Sequence, residues 1–416
     1  MATVVIDNGA GSVRGGWAGE PNPRHTMPNC TAKIKNQTVV LAGDETVDAV
    51  RDKSQLVYQR PHDRGYLINW ENELEVWKRM FDASHLNVQN PQDHALLFTE
   101  PPFAPIMLAE TANEVVFEEL GFTACYRCPP AALSVYLEQV GANSAEVYSN
   151  ALPPADAMVV VDMGFSFTHV FCFYKGRALQ HATVRLNVGG KLLTNYLKEV
   201  LSYRQLNVMD EFDLVTQAME STCYVAQDFK HDMLATRGLA SPAHGPIVRE
   251  FVLPDYKNVL QGYVRDPSEF TPEQRREHMA EDAPQSLRLE SERFAVPELL
   301  FKPSDIGIKQ AGVAECIVQA IHKCPPFLQP VLPGNVLLTG GCANFPGLQE
   351  RLQEELRSLV PWYATVRVRT PLAPHLHAWR GGSHFAAGPD FTAFAVTREE
   401  YNEQGHRFCR ERFSDW

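Results

Sequence analysis

The chain has 416 residues, a formal net charge of -12, and 44% hydrophobic against 21% charged residues. Those fractions are ordinary for a soluble globular protein, and the length carries a large core divided between two or more compact units. The acidic balance excludes a nucleic-acid binder that works by bulk attraction to phosphates, which needs clustered Lys and Arg.

In chain order, TVVIDNGAGSVRGGWAGE opens with a strand, Val4 to Asp7, then a Gly-rich turn and a second strand, Val13 to Ala18. Residues 28–65 are polar and rich in turn formers, and read as a small appended lobe of short strands. A helical period follows, with Trp70, Leu74, Trp77, Met80 and Phe81 on one face. HALLFTEPPF reads as a buried strand stopped by Pro101 and Pro102, and AETANEVVFEELGF as a helix closed by Gly121. Strand TACYRC and helix PAALSVYLEQVG, with Pro near its first position, complete the first half.

The Pro-bearing stretch 142–156 is a linker by composition. AMVVVDMGFSFTHVFC then repeats the opening device: a buried strand ending in Asp162, a turn through Gly164, and a second strand. Behind Gly189 and Gly190, the residues Leu192, Leu193, Tyr196, Leu197, Val200 and Leu201 form one face of a helix. A strand–turn–strand opening followed by helices in both halves reads as an internal duplication. Residues 262–288 are almost wholly polar, with one capped helix predicted from Thr271, Pro272 and Gln274, and read as a surface insertion. VLLTGGCANFPGLQERLQEELRSLV is strand, Gly340-Gly341 turn and helix, with Leu348, Leu352, Leu356 and Leu359 on one stripe.

Nine scattered cysteines, an odd number, make a poor disulfide framework and predict a reducing compartment. Cys125 and Cys128 form a CxxC without a second ligand pair, and their apolar surroundings read as core. The opening MATVVIDNGAG has no charged leader and too short an apolar run for a signal or a membrane span. A soluble intracellular protein with no membrane attachment is predicted.

A strand ending in Asp-x-Gly aims successive backbone N–H groups in one direction, a nest that binds phosphate oxygens without side-chain charge. Two nests facing across a cleft would clamp a polyphosphate, and Asp7 and Asp162 would hold the waters of a Mg²⁺ ion. One such hairpin is weak evidence, being more often a plain turn; two, with a Gly pair between a later strand and helix, point to a nucleotide cleft.

On these residues the chain resembles the actin superfamily over nearly its whole length. IDNGAGSVRGGWAG and VDMGFSFTHV resemble its two phosphate hairpins, LTGGCANFPGL its adenine-side loop, and ERFAVPELLFKPSDIGI the stretch leading to its inter-strand plug. The resemblance implies an α/β fold of the actin, Hsp70 and sugar-kinase type: two duplicated lobes around a nucleotide cleft, in four subdomains. Mapped here, these are residues 1–27, 66–141 and 378–416; the small subdomain 28–65; 142–188 with 310–377; and 189–309 with the insertion. It implies ATP or ADP with Mg as ligand, held by Asp7, Asn8, Gly9, Ala10, Gly11 and Arg14 of the first hairpin. Asp162, Gly164, Phe165 and Ser166 of the second hairpin, and Gly190, Glu220, Gly340, Gly341, Cys342 and Phe345 beyond it, complete the set.

Departures from the family pattern bear on catalysis. Phe165 stands where actin has a second aspartate, and Pro130 where a glutamine places the attacking water; His169 is retained. Arg14 replaces a lysine, Ala10 a serine, Met219 an adenine-side lysine beside the retained Glu220, and His375 a late lysine. A proline side chain offers no hydrogen bond, and misplacing a water by about an ångström costs roughly 100-fold in rate. The expectation is nucleotide held as a structural ligand with little or no hydrolysis; Phe165 filling an empty pseudo-site is the blander reading.

LNVGGKLLTNYLKEVLSYRQLNVMDE, CYVAQDF and VTREEYNEQGH are similar to a nuclear branch of actin-related proteins. That likeness implies a scaffold subunit of a Swr-type chromatin remodeller that exchanges a variant histone. It implies as partners a zinc-finger HIT-domain subunit and the remodeller ATPase, a nucleosome contact, and a nuclear location with a cytoplasmic pool. The short TAKIKNQTVVL loop and Asp305 in the plug segment argue against a homopolymer. The rivals are a cytoskeletal actin-related protein and an active ATPase or phosphotransferase of the same fold.

Overall fold

A computed structural model describes residues 2–416 except 36–38, 49–54, 142–155, 243–244, 256–258, 260, 272–283 and 415. The linker and the capped helix at Thr271 therefore lie largely outside the described residues. Each half is built on one twisted sheet. In the first, β1 (Thr3–Asn8), β2 (Ser12–Trp17) and β3 (His25–Pro28) run antiparallel in succession. On the other side of β1, β4 (Ala95–Thr99) and β5 (Ala124–Cys128) add in parallel, and Val396–Thr397 closes the edge antiparallel.

The second sheet repeats this pairing strand for strand. β6 (Ala157–Met163) and β7 (Thr168–Tyr174) form the antiparallel hairpin, and β8 (Val184–Leu186) pairs antiparallel on β7. β9 (Val336–Thr339) and β10 (Val368–Arg369) extend it in parallel from β6. The duplication inferred from two hairpins thus extends to five strands in each half. The central strands β1, β4, β5 and β9 are buried along their whole length, as helix-covered strands must be, and are apolar except for Thr3, Asp7, Asn8, Thr99, Arg127 and Thr339.

The helices that position the cleft are α1 (Trp70–Phe81), α2 (Pro130–Gly141), α3 (Gly190–Arg204), α4 (Phe212–Thr222), α5 (Leu348–Leu359) and α6 (His377–Ala387). The Asn69 side chain caps α1 by accepting from the Asn72 N–H at 3.1 Å. Pro130 starts α2, where its missing N–H costs nothing. α6 lies close against α2, because a Cβ on Gly381 would stand 2.0 Å from the Leu133 carbonyl oxygen. Two large cores result, one around the first sheet with Trp77 and Trp379, the other around the second with Leu197 and Leu352.

Three expectations need correction. The stretch 262–288 is not wholly an insertion: Tyr263–Arg265 and Ser286–Leu289 flank Arg249–Val252 in a three-stranded sheet, and Leu287 is fully buried. Strands of three or four residues are too short to show a period in sequence. Leu359 leaves the stripe of α5 and is exposed, because the helix ends there. The helix before Gly121 starts earlier, at Ile106, and finishes in a π turn over Val115–Glu119.

All nine cysteines are buried and unpaired, Cys125 and Cys128 among them. No helix among the described residues is long and apolar enough to cross a membrane.

Candidate functional site

β1 delivers Asp7 to the first turn, where both carboxylate oxygens are engaged. Oδ2 accepts from Arg14 Nη1 at 2.8 Å, and Oδ1 from Thr99 Oγ1 at 2.9 Å. Thr99 Oγ1 in turn accepts from the Asn8 N–H at 2.8 Å. The turn is tied to the small lobe: Asn29 donates to the carbonyls of Gly9 and Gly11, and Arg60 Nη1 approaches the Gly11 carbonyl at 3.5 Å.

Asn8 Oδ1 accepts from Trp77 Nε1 at 3.1 Å, and the same indole N–H reaches Glu73 Oε1 at 3.0 Å. Glu73 is fully buried, and burial pushes its carboxyl up to about 7 against the opposing hydrogen bonds. His62 Nδ1 stands 3.9 Å from its other oxygen, and burial holds that imidazole down at about 4, so the pair is neutral between about pH 4 and 7.

The second turn sits opposite. Asp162 pairs in register with His169 and Thr339, and its carboxylate has no hydrogen-bond partner among the described residues. Burial first, then the neighbouring Asp7 charge, push its carboxyl up to about 7, with Arg14 opposing. The turn is closed by Gly164 N–H to Phe167 O at 3.0 Å and seated on the start of α3, where Gly190 N–H donates to Gly164 O and Lys191 N–H to Phe165 O. His169 is held near 3 by burial and by Arg185, a neutral imidazole flanked by the rings of Phe167 and Phe171.

Phe165 turns into the cleft. A Cβ on Gly11 would lie 2.9 Å from its Cγ, so the ring rests on the first turn. Arg60 Cζ stands 4.8 Å from the Phe165 ring centroid and 5.2 Å from that of Phe212, and the two rings meet edge-on at 5.9 Å. Arg60 also faces Asp213 at 3.7 Å. Phe167 makes a parallel contact, its ring against Gly65, and Arg185 donates to the Tyr66 hydroxyl at 3.3 Å. Both phenylalanines of the turn therefore reach across to the first half of the chain.

The third loop follows β9. Gly340 has φ of +89°, and a Cβ there would lie 2.5 Å from Met163 O, so a side chain is excluded twice over. Gly341 faces open space, leaving its backbone accessible. Cys342 Sγ lies 3.6 Å from Gly164 O, which joins this loop to the second turn. Met219 is buried against Thr194, burial raises the Glu220 carboxyl, and His375 meets Asn344 with its imidazole lowered chiefly by burial.

Together these elements enclose a cleft of about 690 Å³, within the usual size range of small-molecule sites. Every residue singled out from sequence lines it: the first turn from Asp7 through Gly11 with Arg14; Asp162, Gly164, Phe165, Ser166 and His169; Pro130, Gly190, Met219 and Glu220; Gly340, Gly341, Cys342, Phe345 and His375. Sequence reasoning missed Arg60, Phe212, Asp213 and Glu100, which also line it. Glu100 is paired with Arg127 at 3.5 Å. Only proximity in the fold reveals these four, since none lies in a turn motif.

The Actin family model matches residues 1–414, with both hairpins inside the match. The chain belongs to the actin family. It is 40% identical to "Actin-related protein 6" of Arabidopsis thaliana, over 99% of each chain. "Actin-related protein 6" of Drosophila melanogaster is 36% identical over 99% of each. "Actin-like protein arp6" of Aspergillus fumigatus is 36% identical over 99% of this chain and 94% of its own. The actin-like fold expected from the hairpins is thus that of this actin-family chain.

A nucleotide fits the residues present: two Gly-bearing turns and the exposed Gly341 line one cleft with room between them. Magnesium has a narrower seat. Asp162 is uncommitted, whereas Asp7 is already paired, and no group of three or more His, Cys, Asp or Glu that could hold a metal ion occurs among the described residues.

Proposed function

We propose that the protein is a non-filamentous scaffold subunit of a nuclear chromatin remodeller of the Swr type, in which an adenine nucleotide clamps two lobes and is turned over slowly or not at all. The observation that carries the nucleotide part is the convergence of two hairpin turns and the Gly340-Gly341 loop on one cleft. Backbone amides of residues 9–11, 165 and 166 would hold phosphate oxygens, and Glu220 and Phe345 would flank the base and sugar. Asp162, with Asp7 behind it, would face the hydrated Mg²⁺.

Bound nucleotide supplies a polyanion shared by both halves of the fold. Hydrolysis needs a placed water, and at the position where actin-like catalysis uses an amide side chain this chain has Pro130, inert toward hydrogen bonding. Phe165 adds an apolar ring nearby, and His169 is a neutral imidazole among aromatic rings. On this reading the parts for gripping persist, whereas of the two residues linked to the attacking water only His169 remains.

Support for the assembly role comes from the near full-length likeness to relatives named actin-related protein 6 and from surfaces ill-suited to a filament. Asp305 is exposed in the turn Pro303–Ile306, and residues 35–39 alone join the strands Thr31–Ile34 and Val40–Ala42. Burying an unpaired carboxylate in a filament seam would cost several kcal/mol.

Purification of tagged protein from nuclear extract, followed by mass spectrometry, tests the proposal. Recovery of a remodeller ATPase and a zinc-finger HIT-domain subunit is expected. Recovery of cytoskeletal proteins instead, or sedimentation of the pure protein with ATP at high speed, would overturn it.

A further inference from the structure

We infer that Phe165 makes the cleft selective for a nucleoside diphosphate over the triphosphate. This rests on the nucleotide reading and says which nucleotide. The ring lies against Gly11, so the gap between the first and second turns is filled at that point. Phe212, which the ring touches, begins α4, and Glu220 lies eight residues further along, about 12 Å at the helical rise. A nucleotide whose base lies toward Glu220 extends its phosphates toward Phe165, and the last of them meets the ring.

The ring is not free to swing aside. Its backbone carbonyl is fixed by the Lys191 N–H at 2.8 Å, Phe212 packs on it edge-on, and the Arg60 guanidinium covers it. Arg60 is itself held by Gly11 O and Asp213. Admitting a third phosphate means breaking this set, while a diphosphate leaves it in place.

Charge points the same way. Neither guanidinium that lines the cleft is uncommitted, since Arg14 pairs with Asp7 and Arg60 with Asp213. An added phosphate brings negative charge to a region where the Asp162 carboxylate already lacks a side-chain partner, and no guanidinium is released to meet it, while the Mg²⁺ accompanies both nucleotides. The device is repulsive: it disfavours the larger ligand and adds no contact to the smaller one.

Titration calorimetry on the full chain with Mg-ADP and Mg-ATP reads this directly. ADP is expected to bind about tenfold or more tightly than ATP. Phe165→Ser should bring the two affinities within about threefold of each other. Arg60→Ala, which unpins the ring without opening the turn, should move the ratio the same way, and thermal unfolding checks that each variant is folded. Equal affinities in the wild type, or a ratio unchanged in both folded variants, would overturn the selectivity and leave the nucleotide reading standing. Binding of neither nucleotide would overturn that reading and the selectivity with it.

Discussion

Glu73 lies on the apolar face of α1, one turn before Trp77, and its side chain is completely buried beside the first turn. Trp77, Asn29 and Asn8 surround it, and it keeps its proton to near neutrality because burial penalises the charge. The sign of its effect follows. Between the ordinary carboxyl value and about 7 the unfolded chain has lost a proton that the folded chain keeps, so stability from this group falls as pH rises and levels off above. Glu73→Gln keeps the acceptor for the indole and removes that slope. It should gain on the order of 3 kcal/mol relative to wild type between pH 4.5 and 8, read by urea denaturation across pH. His62 works the other way, losing stability as pH falls from its ordinary value toward about 4, which the wild-type and Glu73→Gln curves share. Phe165 was legible in the sequence as a departure. Its partners were not, because Arg60 and Phe212 come from separate elements that only folding brings together.

At the scale of elements, apolar runs made the buried strands legible, and the Gly-rich turns between them marked the hairpins. What failed were short edges: the strands Tyr263–Arg265 and Ser286–Leu289 carry too few residues to alternate visibly. The close approach of α2 and α6 was equally hidden, since a glycine pair in a helix reads as a weakness until its neighbour is known. Gly381 is there for contact. Gly381→Ala would drive a methyl into the Leu133 carbonyl and push the helices apart, and should cost about 3 kcal/mol, measured by the same denaturation. The site's three loops were all found from sequence because each is a turn after a buried strand. The fourth wall, from Arg60 to Asp213, joins the small lobe to α4 and carries no motif.

For the molecule as a whole, two sheets of matching topology meet at a cleft whose turns are cross-linked by aromatic and guanidinium contacts. A ligand spanning both lobes binds the folded state alone. At a hundredfold excess over its dissociation constant it should add about 2.7 kcal/mol, seen as a rise in melting temperature with Mg-ADP. Asp162→Ala should shrink that rise by weakening the Mg²⁺ seat. The most direct test of holding without cutting is to incubate the purified protein with Mg-ATP, follow phosphate release over hours, then acid-denature it and identify the nucleotide set free. A stoichiometric amount of adenine nucleotide with no repeated phosphate release is predicted. Phosphate accumulating through many turnovers, or a protein that yields no nucleotide at all, would contradict the account.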